Sequence, residues 1–146
     1  MRSIILFFSI MALMAFKGTE TKTLNITCNA ESLSNECIPK LADGFNFLKS
    51  YKVDGDGGSK KTIEYSYVFT KGTQYLINIC TPTSQADGIV VNLFDGNRNQ
   101  VASSKVGDQF VSAIVYPSNT TGIFYIQYSF EGSSNYCGGS AMGFKR

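Results

Sequence analysis

Apolar and polar residues alternate with period two along much of the second half of the chain. Ile63, Tyr65, Tyr67 and Phe69 are interleaved with Glu64, Ser66, Val68 and Thr70, which predicts a strand with one face in a core. Lys71-Gly72-Thr73 reads as a turn. Tyr75, Ile77 and Ile79 then continue the alternation up to Cys80, so the two strands read as a hairpin. Ile89 to Phe94 is almost wholly apolar, as expected of a central strand covered on both faces. Asp95-Gly-Asn-Arg-Asn99 reads as a turn, and Gln100 to Ser104 as a short returning strand. Phe110 to Tyr116 predicts another strand, stopped by Pro117. Gly122 to Phe130, with Phe124, Ile126, Tyr128 and Phe130 on one face, is the strongest strand pattern, and Cys137 to Phe144 closes the series.

The first third is less regular. Ile38 and Leu41 are three apart, with Pro39 between them and Gly44 beyond, which predicts a short helix over about Asn35 to Ala42. Phe45 to Val53 fits either a helical or a strand face. Gly44 and the aromatic content favour a strand. Asp54 to Lys61 is a Gly-Asp-rich loop. Seven or eight strands with closely spaced turn signals, and no intervening helices, predict an all-β fold. The expected architecture is an antiparallel β-sandwich or jelly roll with a short N-terminal helix.

Before this, Arg2 precedes an apolar run from Ile4 to Phe16 broken only by Ser9. That run is shorter than the roughly 20 residues a spanning helix needs and matches the core of a signal peptide. The expected organisation is a signal peptide over 1–18, a polar lead-in over 19–34, and one domain over 35–146. Cleavage would remove Arg2 and Lys17, taking the 13 basic residues to 11 against 11 acidic ones. A balanced surface of this kind offers no basic stripe for nucleic acid. No other segment is apolar enough to span a membrane. The expected location is therefore periplasmic or fully secreted.

Cys28, Cys37, Cys80 and Cys137 follow, an even number in a chain expected to be exported, which predicts two disulfides. Of the three connectivities, Cys28–Cys37 with Cys80–Cys137 is favoured, and a link of Cys37 to Cys137 is its rival. The chain has no histidine and no Cys-x-x-Cys pair, which argues against zinc and against His-activated nucleophiles. Glu64 is the main acid within a strand, so a carboxylate-based hydrolase is a minor alternative. Asp95, Asn97 and Asn99 match the first ligand positions of a calcium loop. Gln100 stands where that loop needs glycine, and the hairpin turn is the better reading. Asp54 and Asp56 form a second, weak calcium candidate. No cofactor is implied.

Tyr51, Tyr125 and Tyr136 are the candidate ligand-facing aromatics, which would suit a carbohydrate-binding module. Asn25-Ile-Thr27 and Asn119-Thr-Thr121 fit the N-glycosylation pattern.

Three stretches carry a family resemblance. They are Tyr65-Ser-Tyr-Val-Phe-Thr-Lys-Gly-Thr-Gln-Tyr75, Val90-Val-Asn-Leu-Phe-Asp-Gly-Asn-Arg-Asn-Gln-Val-Ala-Ser103, and Thr121-Gly-Ile-Phe-Tyr-Ile-Gln-Tyr128. In this order the sequence resembles bacterial prepeptidase C-terminal-type domains. It is also similar to small secreted proteins of Bacteroidetes-type bacteria. The resemblance implies an antiparallel β-sandwich of jelly-roll type, of seven or eight strands, with a non-catalytic accessory role. The exported, disulfide-linked strand pattern without catalytic groups leads to the expectation of a secreted or periplasmic module that binds a protein or a cell-surface component. The chain departs from the family in its extra cysteines, and it is expected to act without an attached peptidase.

Overall fold

The structure, a computed structural model, describes residues 27–83, 88–131 and 134–146. The expected signal peptide and the Asn25 acceptor lie outside these residues. Eight strands form two four-stranded antiparallel sheets. The first sheet has the order β1 (Asn46–Asp54), β10 (Cys137–Lys145), β3 (Gln74–Cys80), β8 (Ala113–Pro117). The second has the order β2 (Thr62–Phe69), β9 (Gly122–Phe130), β4 (Ile89–Phe94), β5 (Gln100–Ser103). Consecutive strands alternate between sheets on the way in and on the way back, which is the double Greek key of a jelly roll. A two-residue-per-strand hairpin, β6 (Lys105–Val106) with β7 (Gln109–Phe110), projects between β5 and β8.

The predicted inward faces hold. Tyr75, Ile77 and Ile79 of one sheet meet Phe69, Phe124, Ile126 and Tyr128 of the other in a single core. What alternation does not encode is the partner of each strand. β2 and β3 are not a hairpin: β2 pairs with β9, and β3 pairs with β10 and β8. The turn at Gly72 (φ +81°) carries the chain from one sheet to the other. Phe69 and Tyr75 therefore stack across the sandwich, with centroids 3.9 Å apart. Phe45 to Val53 resolves as strand, since β1 pairs with β10 along its length. The expected strand at Phe110–Tyr116 divides: Phe110 closes the small hairpin, Val111 and Ser112 lie between, and Ala113–Tyr116 fall in β8.

The helix departs from expectation. α1 spans Ala30–Cys37, starting five residues earlier than the sequence pattern suggests, and the Pro39 segment Ile38–Lys40 is a 3-10 turn. The Asn29 side chain accepts from Ser32 N–H at 3.1 Å, an N-cap, and Ala30, Leu33, Ser34 and Cys37 form the buried stripe. Residues 30–34, at the end of the stretch expected as a polar lead-in, thus form the first part of this helix. The stripe is made of small side chains because the helix lies almost on the backbone of β10. A Cβ added to Gly139 would overlap the main chain at Leu33 and Ser34. Asn78 joins these layers, donating to the Cys37 carbonyl and accepting from Ala141 N–H, each at 2.9 Å.

Both disulfides secure this helix to the first sheet. They are Cys28–Cys137 and Cys37–Cys80, with Cα separations of 5.4 and 5.6 Å. This is the third connectivity, neither the favoured one nor its rival. The reason is geometric. Cys28 and Cys37 flank and end an eight-residue helix about 12 Å long, more than a disulfide can span. Cys80 and Cys137 both lie on the helix side of their strands, so Cys80 bonds to Cys37 at the helix end and Cys137 to Cys28 just before the helix.

Candidate protein-docking face

The helix covers the outer face of the first sheet. On the outer face of the second, no element is packed over its Tyr125 end among the described residues. Antiparallel register sets the rows there. Val68 lies opposite Ile123, Ser66 opposite Tyr125 and Phe94, and Glu64 opposite Gln127 and Asn92. Val68 and Ile123 are 55% and 51% exposed. Val90, Asn92 and Ser129, toward the opposite end of this face, are buried.

The β4–β5 turn adds the cation. Asp95 C=O accepts from Arg98 N–H at 3.0 Å and Asn99 C=O from Asp95 N–H at 2.9 Å, leaving Gly96-Asn97-Arg98 as a three-residue hairpin loop. The third position of such a loop takes a left-handed conformation that suits glycine, yet Arg98 holds it at φ +66°. Its guanidinium lies 3.5 Å from the Tyr125 ring centre and donates to Glu64 at 2.8 Å. Gln127 donates to the same Glu64 oxygen at 3.4 Å. The Glu64 hydrogen bond is the main cause raising the already high pKa of Arg98. A long cationic side chain is thereby held over an aromatic ring beside an exposed aliphatic pair.

The other sequence candidates are dispersed. Tyr51 is 2% exposed and packs 4.8 Å from Tyr65 in the core, so it faces no ligand. Tyr125 is half-buried under Arg98. Tyr136 is half-buried against Phe130, with ring centres 5.5 Å apart. The three tyrosines do not form one platform. Asp54 accepts from Asp56 N–H, and Asp56 accepts from the Ser59 hydroxyl, each at 2.9 Å, so both serve their own loop. Asp95 likewise accepts from Asn97 and Asn99 N–H at 2.9 Å, and the Asn99 bonds hold its pKa below the ordinary value. Among the described residues no group of three metal-ligating side chains converges. Glu64 faces Arg98 and Gln127, not a second acid. Asn119 is exposed in the β8–β9 loop. No helix among the described residues is long and apolar enough to cross a membrane.

Sequence reasoning singled out Tyr125 but missed Arg98 as its partner. The signal was present in the register: an Asp-Gly turn between β4 and β5 brings its third loop residue beside the neighbouring strand.

No family model and no curated protein matches this sequence. Among solved structures it is similar to a periplasmic lysozyme inhibitor of g-type lysozyme from Aeromonas hydrophila. The identity is 16%, over 70% of this chain and 87% of that one, with a TM-score of 0.46. It is also similar to the pre-peptidase C-terminal domain of a Bacillus anthracis collagenase. That identity is 12%, over 66% and 86% of the two chains, with a TM-score of 0.43. By its own topology, the described residues form a disulfide-linked jelly roll of two four-stranded sheets, with a helix over the outer face of the first.

Proposed function

We propose that this protein is a non-catalytic binding module, exported to the periplasm or the exterior, that docks a protein partner on the outer face of its second sheet. The supporting observation is the cross-strand Val68–Ile123 pair, both more than half exposed, beside the immobilised Arg98–Tyr125 stack. Arginine and tyrosine are among the side chains enriched in protein interfaces and in their energetic hot spots, and here the ring and Glu64 already hold the Arg98 head group. Two disulfides and the signal-like N-terminus support action outside the cytoplasm. A carbohydrate-binding role has less support, since the Tyr125 ring carries a guanidinium where a sugar would stack.

The test is affinity capture from envelope and culture fractions of the producing cell. Wild type is compared with Val68→Asp/Ile123→Asp, and with Val106→Asp at the tip of the β6–β7 hairpin, where Val106 is 65% exposed. A partner retained by wild type and Val106→Asp but lost by the double variant supports the reading. A partner indifferent to the double variant, or a glycan retained in its place, removes it.

A further inference from the structure

A jelly roll has four sheet edges, and natural proteins blunt such edges with lysines, prolines, bulges or short strands. Three of the four are blunted here. β1 carries Lys49 and Lys52 and a register break between Phe47 and Lys49. Its Lys52 carbonyl is also taken at 2.6 Å by the Tyr65 hydroxyl. β8 has five residues and ends in Pro117, and β5 has only four. β2 is different. It runs eight residues, Thr62–Phe69, in unbroken register with β9, and contains no lysine, proline or bulge. Its inward residues Ile63, Tyr65 and Tyr67 are only half-buried, so the core is incompletely closed along this side.

Charge says what would cover it. Lys60 and Lys61 precede the strand and Lys71 follows it. All three are exposed, and none takes part in an ion pair among the described residues. A second copy of this chain, added antiparallel about the strand centre, would set Lys60 of one molecule against Lys71 of the other, twice over. Self-pairing is thus opposed by like charge, whereas a segment with acidic ends meets a lysine at each end. At the start of β2, a groove of 370 Å³ bounded by Lys52, Asp54, Lys60, Thr62, Ile63 and Tyr65 opens beside the edge and would receive an inward side chain of that segment.

We infer that the free edge of β2 takes up an extended segment of the partner, apolar at alternate positions and acidic at its ends, as a fifth strand of the second sheet. This rests on the docking face proposed above, because an added strand would extend the row of Val68 and Ile123 outward. Main-chain hydrogen bonds would supply affinity, and the lysines and groove would supply selectivity.

The experiment uses the oxidised protein and two synthetic peptides that share an alternating Val-Thr core, one ended by glutamates and the other by lysines. Binding is followed by fluorescence anisotropy at low salt, and amide exchange is followed along each edge strand. The glutamate-ended peptide is expected to bind about tenfold more tightly or better. It should slow exchange along Thr62–Phe69 and at no other edge, and Lys60→Glu/Lys61→Glu/Lys71→Glu should reverse the preference. Equal binding of the two peptides, no binding of either, or protection at β1, β5 or β8 would overturn the inference. A dimer in sedimentation with β2 already protected would also overturn it, by assigning the edge to a second copy. If the captured partner is lost by Val68→Asp/Ile123→Asp but kept by the triple lysine variant, the docking face stands and the edge inference falls.

Discussion

Arg98 occupies a backbone conformation that costs a side-chain-bearing residue about 1 kcal/mol or more. Its ring stack and its ion pair with Glu64, both at the surface, act against that cost. Removing the side chain separates the two effects. Arg98→Gly and Arg98→Ala both lose the stack and the ion pair, but only glycine relaxes the turn. Urea denaturation should find Arg98→Gly more stable than Arg98→Ala by about 1 kcal/mol. Equal stabilities would mean that φ +66° carries no strain. At this scale the sequence was informative about facing and silent about contact. Alternation placed Tyr65 and Tyr128 inward, as observed, and gave Tyr125 its outward position. Tyr51 eluded it because Phe45–Val53 satisfies two periodicities, and only pairing with β10 settles which face is buried.

Among the elements, the strands were legible and their partners were not. Side-chain period two records which face meets a core, and in a sandwich both sheets meet the same core. Nothing local therefore distinguishes a β2–β3 hairpin from the observed crossing between sheets. The helix was misplaced for a related reason. Its buried stripe uses alanine, serine and cysteine beside one leucine, since larger side chains would not fit over Gly139, and small residues look polar or neutral in a hydropathy pattern. Its docking leans on covalent links. Cys37→Ala/Cys80→Ala opens a link spanning 43 residues, which on the chain-entropy model lowers stability by about 4 kcal/mol. The variant should unfold at correspondingly lower urea while β2 and β9 keep their amide protection relative to the global transition. Preferential loss of protection along α1 and β10 is the expected local signature. A variant as stable as wild type would mean that helix packing alone holds that layer.

For the molecule as a whole, two core tyrosines set the alkaline limit. Burial raises Tyr128 and Tyr51 well above the ordinary tyrosine value, Tyr128 with its hydroxyl 2.7 Å from Ser140 Oγ. In the unfolded chain both titrate near pH 10. A folded pKa raised above the unfolded one means that the native state holds these protons longer. The corresponding stability is complete below about pH 10 and is lost as pH climbs beyond it. Ultraviolet titration should therefore show Tyr51 and Tyr128 ionising only with unfolding, and Tyr51→Phe/Tyr128→Phe should flatten the fall of stability above pH 10. Smooth ionisation of all eight tyrosines in the folded protein would contradict this core.

The Cys28–Cys137 bond has one more effect. It makes a covalent ring of nearly everything that folds, since the chain between the two cysteines contains every strand except the remainder of β10. A protease that cuts any loop within that ring produces two pieces that stay attached to each other. Outside a cell, where proteases are common and reductants scarce, a nicked molecule would still migrate as one until the bond is reduced.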